Sequence, residues 1–193
     1  MTKAIPGRNS HCRTPQANRQ PRLFVPSASR PASLKELPFQ YRLMLKLPQP
    51  IYNHIRRHGE EAYPEESCGI LLGVVSGNIH DAREAIRCRN IHPSAGTNYE
   101  MDLREVIRLQ REARERGLEI IGFYHSHPDH PASPSPTDIA QAHWLGCSYV
   151  IISVESGRAD TMKSFYLAGP SEEDKVFVNE EVTVSGKSLI GNC

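Results

Sequence analysis

The sequence predicts an α/β or α+β domain with a central sheet, because short apolar runs alternate with amphipathic segments of helical period. The chain has 193 residues, enough for one domain of ordinary size. Its 38% hydrophobic and 23% charged residues exclude a collagen, a coiled coil and a wholly disordered chain. No apolar run approaches the roughly 18 residues that a membrane span requires, which excludes a transmembrane role.

The N-terminal segment differs in composition from the rest of the chain. The net charge is +1, but residues 1–42 hold eight basic groups, one acidic group and six prolines. Because this segment has few large apolar side chains to offset the entropy of ordering, we expect it to be disordered. Attraction to an anionic partner, weak nucleic-acid binding and targeting remain open for this tail. We expect one domain at residues 43–185 and a flexible C-terminus at residues 186–193.

The cysteines indicate a reducing compartment. They are odd in number, widely scattered and without a Cys-x-x-Cys pair, which argues against a disulfide framework and a cysteine-built zinc site. The N-terminus lacks the pattern of a secretory signal. We therefore expect a cytoplasmic protein. The five cysteines are Cys12, Cys68, Cys88, Cys147 and Cys193.

The first predicted elements are a helix and two strands. Residues 50–63 favour a short helix with Pro50 in its first turn. Residues 68–75 form an almost wholly apolar run, which is typical of a buried strand. Gly77-Asn78 indicates a turn, and residues 79–90 predict a second strand with a polar face.

The clearest helix is predicted at residues 102–116. Asp102 and Glu105 have the spacing of a capping box, and Gly117 is suited to end the helix. The apolar side chains that fall on or near one face of this helix are Leu103, Val106, Ile107 and Ala113.

Shorter runs predict the remaining elements. Residues 118–127 indicate a strand that enters a proline-rich loop, and residues 136–144 favour a short helix. Two further strands are expected at residues 149–154 and 162–168. Residues 175–184 are expected to add an edge strand.

Two histidines stand two residues apart at the end of the predicted strand 118–127. Because alternate residues of a strand share a face, His125 and His127 can converge on one point. Pro128 lacks a backbone donor and favours the end of the strand ladder, where a cleft can form. Taken alone, a His-x-His pair is also typical of a solvated strand end.

A helix-start signature follows the histidine pair. Ser135 is suited to the N-cap, Pro136 to the first helical position and Asp138 to the third. A helix that begins here can bring Asp138 over the two histidines. Two histidines, one carboxylate and an open position are the ligand set of a catalytic zinc ion. Taken alone, Asp138 is explained as a capping acid, and His130 and His143 are competing candidate ligands.

These residues resemble the JAMM motif of the MPN-domain metalloproteases, the Mov34/MPN/PAD-1 family. The resemblance rests on the His-Ser-His-Pro segment at residues 125–128, followed by Ser135 and Asp138. Upstream, it aligns the family glutamate with Glu66 rather than with Glu65.

Similarity to this family extends over residues 45–167 and excludes the N-terminal tail. It implies the small prokaryotic stand-alone type. The implied fold is MPN/JAB-type and cytidine-deaminase-like, with helices that flank a central mixed β-sheet.

The resemblance also implies roles for the motif residues. His125, His127 and Asp138 would bind one zinc ion together with a water molecule. Glu66 would be the general base, and Ser135 would help to stabilise the tetrahedral intermediate. Zinc lowers the pKa of bound water to about 7, so a carboxylate can take its proton at neutral pH. Without the resemblance, Glu66 is explained as a solvated acid in a run of glutamates.

The resemblance further implies the substrate class. Family members cleave amide or isopeptide bonds after the C-terminal glycines of ubiquitin or ubiquitin-like proteins. The small prokaryotic members release ubiquitin-like sulfur-carrier or modifier proteins from an attached amino acid or target. We therefore expect a zinc metallopeptidase whose substrate is a ubiquitin-like protein ending in Gly-Gly, with no membrane partner and no nucleic-acid partner.

Three other functions remain open. A non-catalytic MPN scaffold would bind a partner instead of cleaving one, although such relatives lack some metal ligands. RadC, a JAMM-like family associated with DNA repair, carries a related motif, but its helix-hairpin-helix region has no recognisable counterpart here. A non-haem iron site also uses two histidines and one carboxylate. Deamination is disfavoured because the His-x-Glu and Pro-Cys-x-x-Cys signature is missing.

Overall fold

The computed structural model describes residues 42–186. The predictions of a disordered tail and a flexible C-terminus therefore fall almost wholly outside the described residues. None of the helices in the described range is long and apolar enough to cross a membrane.

Seven strands and three helices make up the described part of the chain. They are β1 (Met44–Pro48), α1 (Gln49–Ala62), β2 (Cys68–Ser76), β3 (Ile79–Cys88), α2 (Leu103–Glu115), β4 (Glu119–Pro128), α3 (Pro136–Gln141), β5 (Ser148–Glu155), β6 (Arg158–Ala168) and β7 (Val176–Ser185).

The strands form one mixed sheet that closes into a barrel in the order β1-β3-β2-β4-β5-β6-β7. β4 lies between β2, which is antiparallel to it, and β5, which is parallel to it. This confirms the predicted α+β class and the mixed sheet. The prediction of an edge strand at residues 175–184 is wrong, because β7 pairs with β6 on one side and with β1 on the other.

The central strands are buried on both faces, which explains their apolar runs. On one face, Ile51 and Ile55 of α1 pack in a cluster that includes Leu71 and Tyr124. On the other face, α2 packs in a cluster that includes Ile70 and Phe123. Helix α1 approaches β4 and β5 closely at Gly59, where a Cβ atom would lie 3.0 Å from the side chain of Val154.

Two helices differ from their predicted form. Asp102 caps α2 by accepting from the backbone N–H of Arg104 (2.8 Å), but Glu105 forms an ion pair with Arg108 instead of completing a capping box. Leu103 and Ile107 lie on the exposed side of α2 and are 65% and 42% exposed. The buried stripe is narrower than predicted and consists of Val106, Leu109 and Ala113.

Helix α3 is shorter than predicted. It ends at Gln141 instead of continuing to residue 144, because the backbone of Ala142 is extended. The N–H of Ala142 still donates to the carbonyl of Asp138 at 3.0 Å. The first turn, which carries Asp138, is formed as predicted.

Candidate metal centre and catalytic cleft

The histidine pair lies at the C-terminal end of β4, in the middle of the sheet. His125 and His127 are both buried, and their Nε2 atoms are 3.0 Å apart. The strand ends at Pro128, as the sequence predicts. The ring of Tyr99 stacks on His125 with 4.5 Å between ring centroids. Strand alternation therefore brings both imidazoles to one point, and the ring of Tyr99 packs over that of His125.

The start of α3 delivers the carboxylate to the histidines. The Ser135 hydroxyl accepts from the N–H of Asp138 (3.1 Å), and the N–H of Ser135 donates to Oδ2 of Asp138 (2.6 Å). This capping box fixes the carboxylate orientation. Oδ1 of Asp138 lies 3.2 Å from Nε2 of His125, and Oδ2 lies 3.4 Å from Nε2 of His127. The residues predicted as metal ligands are thus brought together.

The electrostatics of this group favour a bound cation. Burial alone would raise the pKa of Asp138, but its contacts with His125 and His127 hold that pKa well below its usual range. The carbonyl of Pro131 only accepts, so Nδ1 of His127 donates to it (2.9 Å) and Nε2 keeps a lone pair in the neutral ring. An ionised carboxylate thus faces imidazole nitrogens.

The distances between these donors suit a tetrahedral metal ion. One ligand atom from each of His125, His127 and Asp138 lies within 4.8 Å of the others. Donors bound at about 2.0–2.1 Å in a tetrahedron lie about 3.3 Å apart, close to the separations of 3.0, 3.2 and 3.4 Å found here. Two imidazoles and one carboxylate that leave a fourth position open match the donor set of catalytic zinc.

Glu66 lies beside this group, in the segment between α1 and β2. It is 7% exposed, whereas its neighbour Glu65 is exposed. Burial raises the pKa of Glu66 to about 7; the charge of His127 lowers it and that of Asp138 raises it. The backbone of Glu66 is held on both sides, since its N–H donates to the carbonyl of Ala95 (2.7 Å) and its carbonyl accepts from Asn90 Nδ2 (3.0 Å).

Ser126 joins the Glu66 segment to the histidine strand. Because it lies between His125 and His127, its side chain points to the opposite face of β4. Its Oγ accepts from the N–H of Ser67 (2.8 Å) and lies 3.0 Å from the Ser67 Oγ, and its own N–H donates to the carbonyl of Ser67 (3.0 Å). The residue that follows Glu66 is thereby fixed to the strand that carries the histidines.

A second connection joins the residue after α1 to the residue after β4. The Tyr63 hydroxyl donates to Oδ2 of Asp129 (2.9 Å), while Oδ1 of Asp129 accepts from the N–H of Ser156 (2.8 Å). Asp129 has a φ of 53°, the left-handed region that Asp tolerates better than most residues. No local sequence pattern marks Ser126 or Asp129 as a positioning residue, because their partners are distant in the chain.

The other candidates from the sequence have different surroundings. His143 is exposed and lies 3.3 Å from Glu172, and His130 is not part of the possible metal-binding group. Ser135 is half-buried, and its hydroxyl uses a lone pair to cap Asp138. The hydroxyl proton of Ser135 is therefore free to be donated to another acceptor.

Two cavities are lined by residues that neighbour the candidate centre. We call the first, of about 670 Å³, the polar cavity, and its lining includes His58, Glu65, Glu66, Ser67, Arg89 and Asn90. We call the second, of about 410 Å³, the aromatic cavity, and its lining includes Tyr99, Met101, Leu103, Phe123, Trp144 and Tyr149. Glu66 thus borders the polar cavity, and Tyr99, which stacks on His125, borders the aromatic one.

Comparisons with known proteins found a matching family and several relatives. Residues 48–168 match the model of a family described as prokaryotic homologs of the JAB domain. A probable TtuB-protein conjugate cleaving protease of Thermus thermophilus is 32% identical over 117 residues, which cover 61% of this chain and 75% of the relative. A desampylase of Haloferax volcanii is 32% identical over 103 residues, which cover 53% of this chain and 73% of the relative.

A solved structure shares the fold. The solution structure of protein DSY2949 from Desulfitobacterium hafniense superposes with a TM-score of 0.63 at 28% sequence identity. The match covers 75% of this chain and 94% of that protein.

Proposed function

Because the chain belongs to the prokaryotic homologs of the JAB domain, we propose that it is a zinc-dependent peptidase or isopeptidase. Its substrate would be a ubiquitin-like sulfur-carrier or modifier protein, cleaved at the amide bond after the C-terminal Gly-Gly. The observation that carries this proposal is the convergence of two imidazoles and one carboxylate beside the buried Glu66. Relatives named as a conjugate-cleaving protease and a desampylase support it.

In this proposal, His125, His127 and Asp138 hold the zinc ion. Zinc supplies Lewis acidity, which polarises the scissile carbonyl and lowers the pKa of water. The Pro131 carbonyl fixes the ring of His127, and the capping box fixes Asp138, so both side chains are oriented before a metal binds.

Glu66 is the proposed general base and acid. A carboxyl group with a pKa of about 7 can take a proton from the attacking water and return it to the leaving amine at neutral pH. Its backbone contacts with Ala95 and Asn90 limit its movement. The Ser135 hydroxyl, whose proton is not used in the capping box, is the proposed donor to the developing oxyanion.

The cysteines support a cytoplasmic location. Cys68 and Cys88 occupy directly paired positions on β2 and β3, yet both are free thiols, as is Cys147. Neighbouring free thiols are typical of proteins in a reducing compartment.

The test combines metal content with hydrolysis. Protein purified without chelator is analysed for zinc and iron, and a panel of ubiquitin-like proteins extended beyond Gly-Gly is tested for cleavage. We expect about one zinc per chain. Glu66→Gln should keep the metal but lose about 10²- to 10⁴-fold in turnover, whereas Asp138→Ala should lose both.

Glu65→Gln is the matched control, because Glu65 is adjacent in sequence but exposed. It should keep both zinc and turnover. Full activity in Glu66→Gln would show that the proposed base is wrong. Absence of zinc in the native protein, even after zinc is added, would instead favour a scaffold function, and iron in its place would favour an oxygenase.

A further inference from the structure

Lys175 lies at the end of the loop between β6 and β7, and its ammonium group contacts the end of helix α3. We propose that Lys175 is a positioning residue for Asp138, because it fixes the helix that carries this carboxylate. The inference rests on the proposed function, in which Asp138 holds zinc together with His125 and His127. A lysine outside the ligand set would thus strengthen the binding of zinc.

Helix α3 buries none of its apolar side chains against the barrel. Of its six residues only Asp138 is buried, and Ile139, its largest apolar residue, is 39% exposed. A helix this short is not stable by itself, because the cost of nucleation exceeds the contribution of its few hydrogen bonds. The position of α3 therefore depends on the groups that hold its two ends.

The two ends of α3 are held in different ways. At the N-terminal end, the capping box between Ser135 and Asp138 satisfies the backbone within the helix itself. At the C-terminal end, the last carbonyl groups of a helix have no N–H partner in the helix. The extended backbone at Ala142 ends α3 at this point. Donors for these carbonyl groups must therefore come from another part of the chain.

The ammonium group of Lys175 supplies those donors. Its Nζ donates to the carbonyl of Ala142 (2.7 Å) and to that of Ala140 (3.1 Å). It also donates to Oε2 of Glu172 (2.8 Å), so all three N–H bonds of the ammonium group are used. The Lys175 side chain is only 10% exposed. Its positive charge also lies at the negative end of the helix, which stabilises that end.

The loop that carries Lys175 is fixed to the barrel. Val176, the next residue, begins β7 and pairs with Ala168 at the end of β6. Between them, a Cβ atom at Gly169 would lie 2.7 Å from the carbonyl oxygen of Asp174, so the loop folds closely on itself. Lys175 therefore joins the end of α3 to a firmly paired part of the sheet.

This connection bears on zinc binding because the three proposed ligands come from two elements. His125 and His127 are fixed by β4, whereas Asp138 moves with α3. If the helix end is released, the free energy of ordering α3 reduces the free energy of zinc binding. Groups that orient metal ligands contribute about 10- to 100-fold in metal affinity. Lys175 acts through the helix backbone, so we expect the lower value.

The experiment measures the zinc affinity of the full chain by competition with a chelator. Lys175→Met removes the ammonium group but keeps a long side chain that suits a nearly buried position. Its dissociation constant for zinc should rise about tenfold, while urea unfolding shows that the variant is folded. Lys163→Met is the matched control, because Lys163 is exposed on β6. It should keep the native affinity.

A second control separates positioning from general stability. Ser164→Ala removes a buried hydrogen bond to Glu180 and should lower the free energy of unfolding without changing zinc affinity. Native affinity in Lys175→Met, or an equal loss in Ser164→Ala, would overturn the inference and leave the proposed function intact. Zinc-loaded native protein that cleaves no substrate would overturn the proposed function, while the comparison of affinities would still decide the role of Lys175.

Discussion

The barrel contains two buried clusters of histidine and carboxylate that differ in one chemical respect. In the first, which we call the metal cluster, Asp138 faces the imidazoles of His125 and His127. In the second, which we call the internal cluster, the Ser148 hydroxyl joins His80 to Glu180, and the Ser164 hydroxyl donates to Glu180. Both clusters consist of residues that are 9% exposed or less. They differ in whether hydroxyl groups donate hydrogen bonds to the carboxylate.

The internal cluster is a closed hydrogen-bond network. Ser148 and Ser164 donate to the two oxygens of Glu180 at 3.1 and 2.5 Å, and Nδ1 of His80 lies 2.6 Å from the Ser148 hydroxyl. Burial raises the pKa of Glu180 to about 7 and lowers that of His80 to about 4. Because both oxygens of Glu180 accept hydrogen bonds from hydroxyl groups, this cluster needs no cation.

The metal cluster lacks such donors. Asp138 accepts from the N–H of Ser135, but its other neighbours are the Nε2 atoms of His125 and His127, which face the same point. The low pKa of Asp138 keeps its charge in place. Burial of a histidine and a carboxylate therefore does not itself indicate a metal site, whereas two imidazole nitrogens that converge on an ionised carboxylate do.

The largest expected difference between the clusters comes from changing each carboxylate to its amide. Asp138→Asn should lose zinc and reduce hydrolysis to the background rate, because an amide brings no charge and is a poor zinc ligand. Glu180→Gln should keep about one zinc per chain and turnover within about twofold, because Glu180 touches neither the metal cluster nor the two cavities. Elemental analysis and initial rates measure both effects.

Glu180→Gln also controls for unfolding, since it alters a carboxylate that is at least as deeply buried. Zinc retained by Asp138→Asn would refute the assignment of Asp138 as a ligand. Zinc lost from both variants would mean that the two clusters are coupled and that the comparison does not hold.

Much of this arrangement could be predicted from local sequence. Strand alternation places His125 and His127 on one face, and the Ser135-Pro136 cap signature places Asp138 in the first turn of α3. The apolar runs of the central strands are explained by their burial on both faces. These features depend on residues a few positions apart, which is the range that periodicity and capping describe.

Features that depend on distant pairing could not be predicted. The strand β1 (Met44–Pro48) has only five residues, and barrel closure requires it to pair with β7 at the other end of the domain. Leu103 and Ile107 have helical spacing, yet they lie outside the narrow stripe by which α2 contacts the sheet. Similarly, the choice of Glu66 over Glu65 came from the family resemblance alone, and the structure distinguishes them by burial.

A smaller effect is expected from two buried serines, one beside the metal cluster and one within the internal cluster. Ser126→Ala removes the hydroxyl that holds the N–H of Ser67, next to Glu66. It should lower kcat by about 10- to 100-fold, as is typical of residues that orient a catalytic group, with KM and zinc content little changed. Ser164→Ala removes a hydroxyl from the internal cluster and should lower stability without changing kcat.

Recovery of kcat by a conservative substitution distinguishes a positioning role of Ser126 from a packing role. Ser126→Thr keeps a hydroxyl and should recover most of the kcat, provided that the variant retains zinc. Equal loss of kcat in Ser126→Ala and Ser164→Ala would show that both serines act through general stability.

The effect that is smallest in the native protein is the pH dependence of the free energy of unfolding that comes from the internal cluster, because its two contributions have opposite slopes. The pKa of Glu180 is raised from 4.5 to about 7 on folding, so its contribution to stability is present at low pH and is lost as pH rises through about 7. The pKa of His80 is lowered from 6.5 to about 4, so its contribution is present above pH 6.5 and is lost as pH falls toward 4. Between about pH 4.5 and 6.5 the two slopes cancel.

Single substitutions should reveal each slope. Relative to the native protein, Glu180→Gln should gain stability as pH rises from 4.5 to 7, and His80→Gln should gain it as pH falls from 6.5 to 4. Urea unfolding at several pH values measures the difference in free energy of unfolding between each variant and the native protein. The other titrating groups are common to both proteins, so their contributions cancel in that difference. Parallel slopes for the two variants would show that the cluster holds an ion pair on folding. In that case the carboxylate of the internal cluster would be ionised, as that of the metal cluster is, and the distinction between the two clusters would fail.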